Sequence, residues 1–457
     1  MRARRWRKGF LIVRLAALAA SALALTAGAS SQPAVALDGE RVLYSFCSTG
    51  AELCTDGSGP QSDLIADADG NLYGTTATGG ANKYGGSVAP NGAGTVFELV
   101  FDAKTKAYTH KVLHNFCRDT DCADGILPVA GLIMDSAGNL YGTTESGGAA
   151  ANGVSGVVFE LVFDAQAKTY TYKAVYAFCP QEGCAAGPQA GLVMDKAGDL
   201  YGTTSAGGAH GSGSVFELVF DSTTATYTYK PLYSFCARSG CADGGEPLAG
   251  LILDDAGNLY GAASLGGAHS QGAGSPGGVV FEIEANTHAY KRLYSFCAKL
   301  GCVDGAGPQA GLIMDKAGDL FGTAADQGAN GYGVAFELVF NAQAKTYTYE
   351  VLYTFCQQNG CADGAYPWAG LIMDSAGDLY GTTSAYGKDD GGNAFELVFN
   401  ADTKKYTYDP LYNFCAKTGC ADGQFPQAGL MMDSAGNLYG TTKQGGGHMG
   451  AAFVLKP

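Results

Sequence analysis

The chain has 457 residues, among them 69 Gly, 14 Cys and 6 His, and a formal net charge of −15. At 46% hydrophobic residues it has material for a core and is not a disordered chain; its glycines follow no triplet period, which excludes collagen. Arg2, Arg4, Arg5, Arg7, Lys8 and Arg14 occupy the first 36 positions without an acid, leaving 22 basic residues against 43 acidic ones, a surface that repels nucleic acid and anionic membranes.

Met1 to Phe10 is basic, Leu15 to Leu25 is apolar, and small-residue patterns follow at Ala27-Gly28-Ala29 and Ala34-Val35-Ala36. That order is the one of a secretory signal peptide, so residues 1–36 are expected to be removed and residues 37–457 exported. An uncut anchor helix is the alternative. The apolar run is shorter than the ~20 residues a spanning helix needs, and no membrane insertion is expected.

From there the chain repeats itself. Phe-Cys recurs at Phe46-Cys47, Phe116-Cys117, Phe178-Cys179, Phe235-Cys236, Phe296-Cys297, Phe355-Cys356 and Phe414-Cys415, seven copies of a unit of about 60 residues. After a second Cys comes strand a, as in Gly131–Asp135, an apolar run; the Ser136-Ala137-Gly138 turn leads into strand b, Asn139–Thr144. A Gly-rich patch leads to strand c, Val157–Phe163, rich in β-branched and aromatic residues, and strand d, Thr169–Phe178, alternates with period two. No segment carries a helical period. The reading is all-β: a seven-bladed β-propeller of four-stranded blades. The chain opens on a lone strand d, Arg41–Phe46, and closes after a strand c, Ala451–Leu455, so residues 37–457 form a single propeller whose ring closes when the N-terminal strand pairs with the last blade.

The repeated Gly-Leu-Ile-x-Asp-x-x-Gly-Asn-Leu-Tyr-Gly-Thr-Thr, followed by Gly-x-Val-Phe-Glu-Leu, resembles the GloVer tandem repeat of exported bacterial proteins, often called choice-of-anchor proteins, over residues 41–457. The resemblance implies the fold and export but no catalytic chemistry. Members of that family differ in C-terminal surface anchors; here Lys456-Pro457 follows directly on a strand, so a secreted or periplasmic location without an anchor is expected.

All cysteines lie in the repeats, two per unit: Cys47 and Cys54, Cys117 and Cys122, Cys179 and Cys184, Cys236 and Cys241, Cys297 and Cys302, Cys356 and Cys361, Cys415 and Cys420. In an exported chain this reads as seven local disulfides. Metal ligation and free thiols are the alternatives, the first weakened because zinc wants four ligands and each loop offers two thiols with no adjacent His. No metal site and no cofactor are expected.

The Cys loops and the variable b-to-c loops share one face, the expected binding face, while the other carries uniform hairpins. Near the start of strand a, Gln61, Gln189, Gln309, Gln427 and Trp368, with Tyr366 beside it, are candidate ligand-binding residues at the channel mouth. Amides suit hydroxyls and an aromatic face suits a sugar ring; the structural alternative makes the glutamines strand caps and Trp368 a blade-interface filler. Asp56, Asp124, Asp243, Asp304, Asp363 and Asp422, each before a Gly, are expected to cap their own turns. Asp67-Ala68-Asp69-Gly70-Asn71 has a faint calcium-loop look without the distant Glu. Glu98, Glu160, Glu217, Glu282, Glu337 and Glu396 recur in strand c and read as structural, and the six histidines share no repeat position. No catalytic residue is assigned. The expectation is a monomeric, exported, non-enzymatic protein that binds an extracellular glycan or protein; the alternatives are a carbohydrate-active hydrolase or lyase and a purely structural envelope protein.

Overall fold

The computed structural model describes residues 39–48, 54–82, 92–119, 121–148, 155–178, 184–269, 276–447 and 449–457; the signal-peptide expectation falls outside them. Seven four-stranded antiparallel sheets stand in a ring, the seven-bladed β-propeller expected from the repeats. Blade 2 is typical: Ile133–Met134, Leu140–Thr144, Val157–Asp164 and Thr169–Ala177, paired in chain order. Blade 1 starts at Ile65–Ala66, blade 3 at Val193–Met194, blade 4 at Ile252–Leu253, blade 5 at Ile313–Met314, blade 6 at Ile372–Met373 and blade 7 at Met431–Met432.

Strand a is shorter than its sequence suggests. Of Gly131–Asp135 only Ile133–Met134 pairs, because seven inner strands converge on one channel and the chain must leave it quickly. Asp135 already belongs to the turn, its Oδ1 accepting the backbone N–H groups of Ala137 and Asn139 at 2.8 and 2.9 Å.

Strand b is buried throughout in most blades because its two faces pack against neighbouring blades. The central glycine of Leu-Tyr-Gly-Thr-Thr permits that approach: a β-carbon on Gly202 would lie 2.6 Å from the Phe216 ring and 2.9 Å from Leu192. Each blade seam is then a layer of Phe and Leu, such as Phe178, Leu192, Leu200, Phe216 and Leu218 between blades 2 and 3. On the inner side, the strand b threonines donate across the seams: Thr75 to the Ala130 carbonyl at 3.0 Å and Thr143 to that of Ala190 at 3.0 Å.

Ring closure follows the expected route. Arg41–Ser45 is the outer strand of blade 7, antiparallel to Ala451–Leu455. Its register slips between Val42 and Tyr44, skipping Leu43, as blade 3 skips Leu232, so the N-terminal segment is built to the same bulged pattern as its siblings. At the inner seam Thr441 donates to the Ser62 carbonyl at 3.1 Å. At the outer seam Glu40 stands where blade 6 has Tyr408, accepting from Tyr412 and from Lys417.

Candidate functional site

The turns of the hairpin face are scaffold in all seven blades. Each a-to-b turn opens with an Asp that accepts two backbone N–H groups; Asp67, the faint calcium-loop residue, does so from Asp69 and Asn71 at 2.9 Å each and also accepts from the Asn71 amide, as its siblings Asp135, Asp254 and Asp433 do. It is an ordinary hairpin. Behind the turns of blades 1, 2 and 3 the strand c Glu is held by a Tyr and a Lys. Glu160 accepts from Tyr141 at 3.1 Å and Lys173 at 2.9 Å, and Lys173 also reaches the Ala225 carbonyl of the next blade.

Blades 5 and 6 break this arrangement: in blade 6 Asp409 stands opposite Glu396 in place of the Lys, and in blade 5 both partners change. Phe321 replaces the Tyr, and Glu350, directly opposite Glu337 in the register, replaces the Lys. Burial, then the neighbouring Asp319, Glu350 and Asp315, push the Glu337 carboxyl up to about 7. The folded state thus holds this proton more tightly than the unfolded chain, whose value is the ordinary 4.5. The contribution is intact below about pH 4.5 and is lost as pH rises toward 7. Glu350→Lys is expected to raise the melting temperature by about 2–4 °C at pH 8, the shift for roughly 1 kcal/mol, and much less at pH 5. Equal shifts at both pH values in thermal unfolding would refute the charge argument.

On the opposite face, six disulfides close the Cys loops: Cys47–Cys54, Cys117–Cys122, Cys236–Cys241, Cys297–Cys302, Cys356–Cys361 and Cys415–Cys420. Cys179 of the expected seventh pair lies outside the described residues. The loop aspartates are structural. Asp243 is fully buried, accepting from Tyr233 at 2.6 Å and from the N–H groups of Ala237 and Arg238 at 2.9 and 3.1 Å. Asp304, Asp363 and Asp422 repeat that pattern, which leaves no face free for a cation. Among the described residues no group of three or more His, Cys, Asp or Glu is placed to hold a metal ion, and no helix is long and apolar enough to cross a membrane.

His110 and His114 share no repeat position with another histidine; they stand at positions held elsewhere by the stacked tyrosines of strand d. His114 takes the place of Tyr233 and meets Asp124 at 2.9 Å, and it stacks on Tyr172 of the next blade as Tyr233 does on Tyr290. His448 lies outside the described residues.

The central channel holds a cavity of about 490 Å³, walled by Asp63, Gly131, Leu192, Ile252, Leu312 and Met432 among others. Six blades place Gly before the strand a Leu; blade 1 places Asp63, whose carboxylate accepts the Gly429 N–H across the closing seam. Protein surrounds Asp63 while its side chain opens to the channel, and loss of bulk water raises its carboxyl. Gln61, Gln189, Gln309 and Gln427 are half-buried at corresponding points of the ring, so the structure distributes them among blades 1, 3, 5 and 7 and does not gather them. Gln189 bonds Ser205 at 3.2 Å and Glu145 at 3.4 Å, whose carboxyl burial raises.

Trp368 is 38% exposed, and its neighbour Tyr366 belongs to a cluster that the sequence reading missed. The rings of Tyr332, Tyr366 and Tyr386 stand 5.6, 5.5 and 6.4 Å apart, centroid to centroid, at the loop-face boundary of blades 5 and 6. Tyr332 and Tyr386 have no aromatic counterpart in the other blades, while Tyr366 has one in Phe425. The backbone bond from Tyr366 N–H to the Tyr332 carbonyl, 3.0 Å, has counterparts from Gly59 to Met449, Leu127 to Ala93, Gly187 to Ser155, Glu246 to Ser212, Gly307 to Gly277 and Phe425 to Gly391. Tyr366 (φ 57°) and Tyr386 (φ 60°) lie in the left-handed region. The Tyr386 position is Gly79, Gly147, Gly207, Gly266 and Gly445 in five blades and Gln327 in the other, all with positive φ. A side chain there costs on the order of 1 kcal/mol relative to glycine, so the fold alone gives no reason for tyrosine. The signal was present in the alignment of the repeats: an aromatic where five other copies carry Gly.

A ring of four-stranded blades with a pinned loop face defines a β-propeller repeat protein. Residues 238–453 match the model of the Gloeobacter/Verrucomicrobia repeat, so this stretch consists of repeats of that family. No curated protein sequence matches the chain. Solved structures similar to it include a fungal alcohol oxidase of the AA5 family in complex with copper (14% identity, 85% of this chain and 72% of that one, TM-score 0.47). A nidogen/laminin complex (14%, 70% and 91%, 0.39) and TolB from Acinetobacter baumannii (10%, 74% and 79%, 0.32) are others. At such identities and scores they carry no assignment of activity.

Proposed function

We propose that this chain is an exported, non-enzymatic binding protein that holds an extracellular glycan or protein on the Cys-loop face of its propeller. The observation that carries this reading is where the repeat stops being a repeat on that face: three tyrosines from separate loops are gathered at one blade boundary, and one of them, the exposed Tyr386, stands where five other blades have glycine. Apart from Glu337, the recurrent acids and the Cys-loop aspartates are absorbed in scaffold contacts, and the disulfides are consistent with an oxidising, extracytoplasmic setting. Variable loops on a rigid frame are where recognition tends to sit.

Trp368 is the only tryptophan after residue 36, so residues 37–457 carry a built-in reporter. Titration with oligosaccharides, in the presence and absence of calcium, is expected to give a saturable change in Trp368 emission without new reducing ends. Product formation would replace this reading by a hydrolase or lyase.

A further inference from the structure

We infer that Tyr332, Tyr366 and Tyr386, with Trp368 beside them, form the subsite that takes a neutral sugar ring of a glycan, and that the ring of glutamines at the channel mouth is not that subsite. This rests on the binding reading above and names its ligand and its place.

Three independent features support the subsite. The first is convergence. The side chains come from three separate segments, the b-to-c loop of blade 5 (Tyr332), the segment after the Cys loop of blade 6 (Tyr366) and the b-to-c loop of blade 6 (Tyr386), yet all three rings touch. The second is that Tyr386 occupies a left-handed backbone position, so its aromatic side chain is kept against a conformational preference that five sibling blades satisfy with Gly79, Gly147, Gly207, Gly266 and Gly445; Tyr366 is also left-handed, at a position that Leu127, Glu246 and Phe425 share with Gly59, Gly187 and Gly307. The third is access: Tyr386 and Trp368 are 36% and 38% exposed, whereas the other tyrosines of the blade seams are stacked and half-buried, as in Tyr294 on Tyr349 at 3.9 Å.

The chemistry selects among ligands. Tyrosine and tryptophan combine a broad apolar face with a polar tip, which matches a pyranose: axial C–H groups against the ring, hydroxyls toward the phenols. The Tyr386 phenol is raised by its hydrogen bond with Tyr332, so it stays a neutral donor and acceptor at physiological pH. An anionic polysaccharide is disfavoured by the excess of 43 acidic over 22 basic residues beyond position 36 and by Asp389 and Asp390 in the same loop as Tyr386. The three rings are in direct contact, leaving no gap between them to enclose a cation. The glutamines, by contrast, are spread over four blades, and Gln189 is committed to Ser205 and Glu145.

The test uses residues 37–457 with hexasaccharides of neutral glucan, mannan, xylan and chitin, an alginate hexasaccharide as the anionic control, and tetramethylammonium as the cationic control, followed by calorimetry and ligand-observed NMR. At least one neutral hexasaccharide is expected to bind, with contacts on ring C–H protons. Tyr366→Gly and Tyr386→Gly install residues that the sibling blades use at these positions, so they should melt no lower than the parent while weakening binding at least tenfold. Gln189→Ala and Gln309→Ala should change it less than twofold. Neutral-sugar binding that survives both glycine variants would overturn the subsite and leave the binding reading standing. Binding of tetramethylammonium or alginate alone would overturn the neutral-sugar assignment, as would no binding of any hexasaccharide. Turnover of a hexasaccharide would instead overturn the binding reading itself.

Discussion

Phe46→Ala in the chain from residue 37 onward is expected to lower stability by about 3–5 kcal/mol, and deletion through Phe46 to abolish the cooperative unfolding transition. Phe46 is fully buried and packs with Leu64, Leu72 and Phe97 of blade 1, its ring edge-on to Phe97 at 4.9 Å. It therefore anchors the N-terminal strand to blade 1 while Arg41–Ser45 pairs with blade 7, and one short segment joins the two ends of the ring. Without it the Ala451–Leu455 strand, buried throughout, would present a free edge of unpaired backbone groups, a template for association. The truncated chain should elute as oligomers in size-exclusion chromatography, and a synthetic peptide of residues 37–48 added during refolding should restore the monomer. A truncated chain that stays monomeric and melts within 2 °C of the parent would refute closure as the source of stability.

The architecture was legible because tandem repetition multiplies a weak signal. One copy of Leu-Tyr-Gly-Thr-Thr is an ambiguous apolar stretch, but seven copies at nearly equal spacing, with a spare strand d at the start and a missing one at the end, leave little besides a closed ring. The lengths of individual strands were less legible: Gly131–Asp135 reads as five apolar-run residues, yet the geometry of the channel permits two, and no local pattern encodes how narrow the channel is. The site was harder still. Repeat alignment separates conserved scaffold from exceptions, and it correctly set aside Asp243 and Glu160. It placed emphasis on glutamine, however, a residue type plausible for sugar, and passed over Tyr386, whose information lies in standing where five other copies have glycine. That Tyr332 of one blade meets two tyrosines of the next depends on backbone contacts across a seam, such as the Tyr366 to Tyr332 bond, which only the folded ring supplies.

The same comparison among blades yields the second large effect, at His110. Its place in strand d is held elsewhere by Tyr172, Tyr290, Tyr349 and Tyr408, whose phenols each donate to the backbone carbonyl of a Cys-loop aspartate, for instance Tyr172 to Asp124 at 2.9 Å and Tyr290 to Asp243 at 2.8 Å. His110 keeps the stacking, on Tyr44 at 4.4 Å and 12°, but its Nε2 is buried without a partner, as is Oδ1 of Asp56. Burial holds the imidazole down at about 4, against an ordinary 6.5, with the Asp56 charge offsetting only part of the effect. The neutral ring is the folded form. Above pH 6.5 neither state binds the proton and the full contribution is present; as pH falls from 6.5 toward 4 the unfolded chain takes up a proton the folded one refuses, and stability drops by up to about 3 kcal/mol before levelling off. His110→Tyr should remove that step and raise the melting temperature at pH 5 by more than at pH 8, since the phenol restores the hydrogen bond its siblings make and does not titrate in this range. Denaturant unfolding at pH 4, 5, 6.5 and 8 measures it. If the parent and His110→Tyr lose stability in parallel over that window, the acid sensitivity belongs to other groups, and the orphaned imidazole is tolerated by the seam without cost.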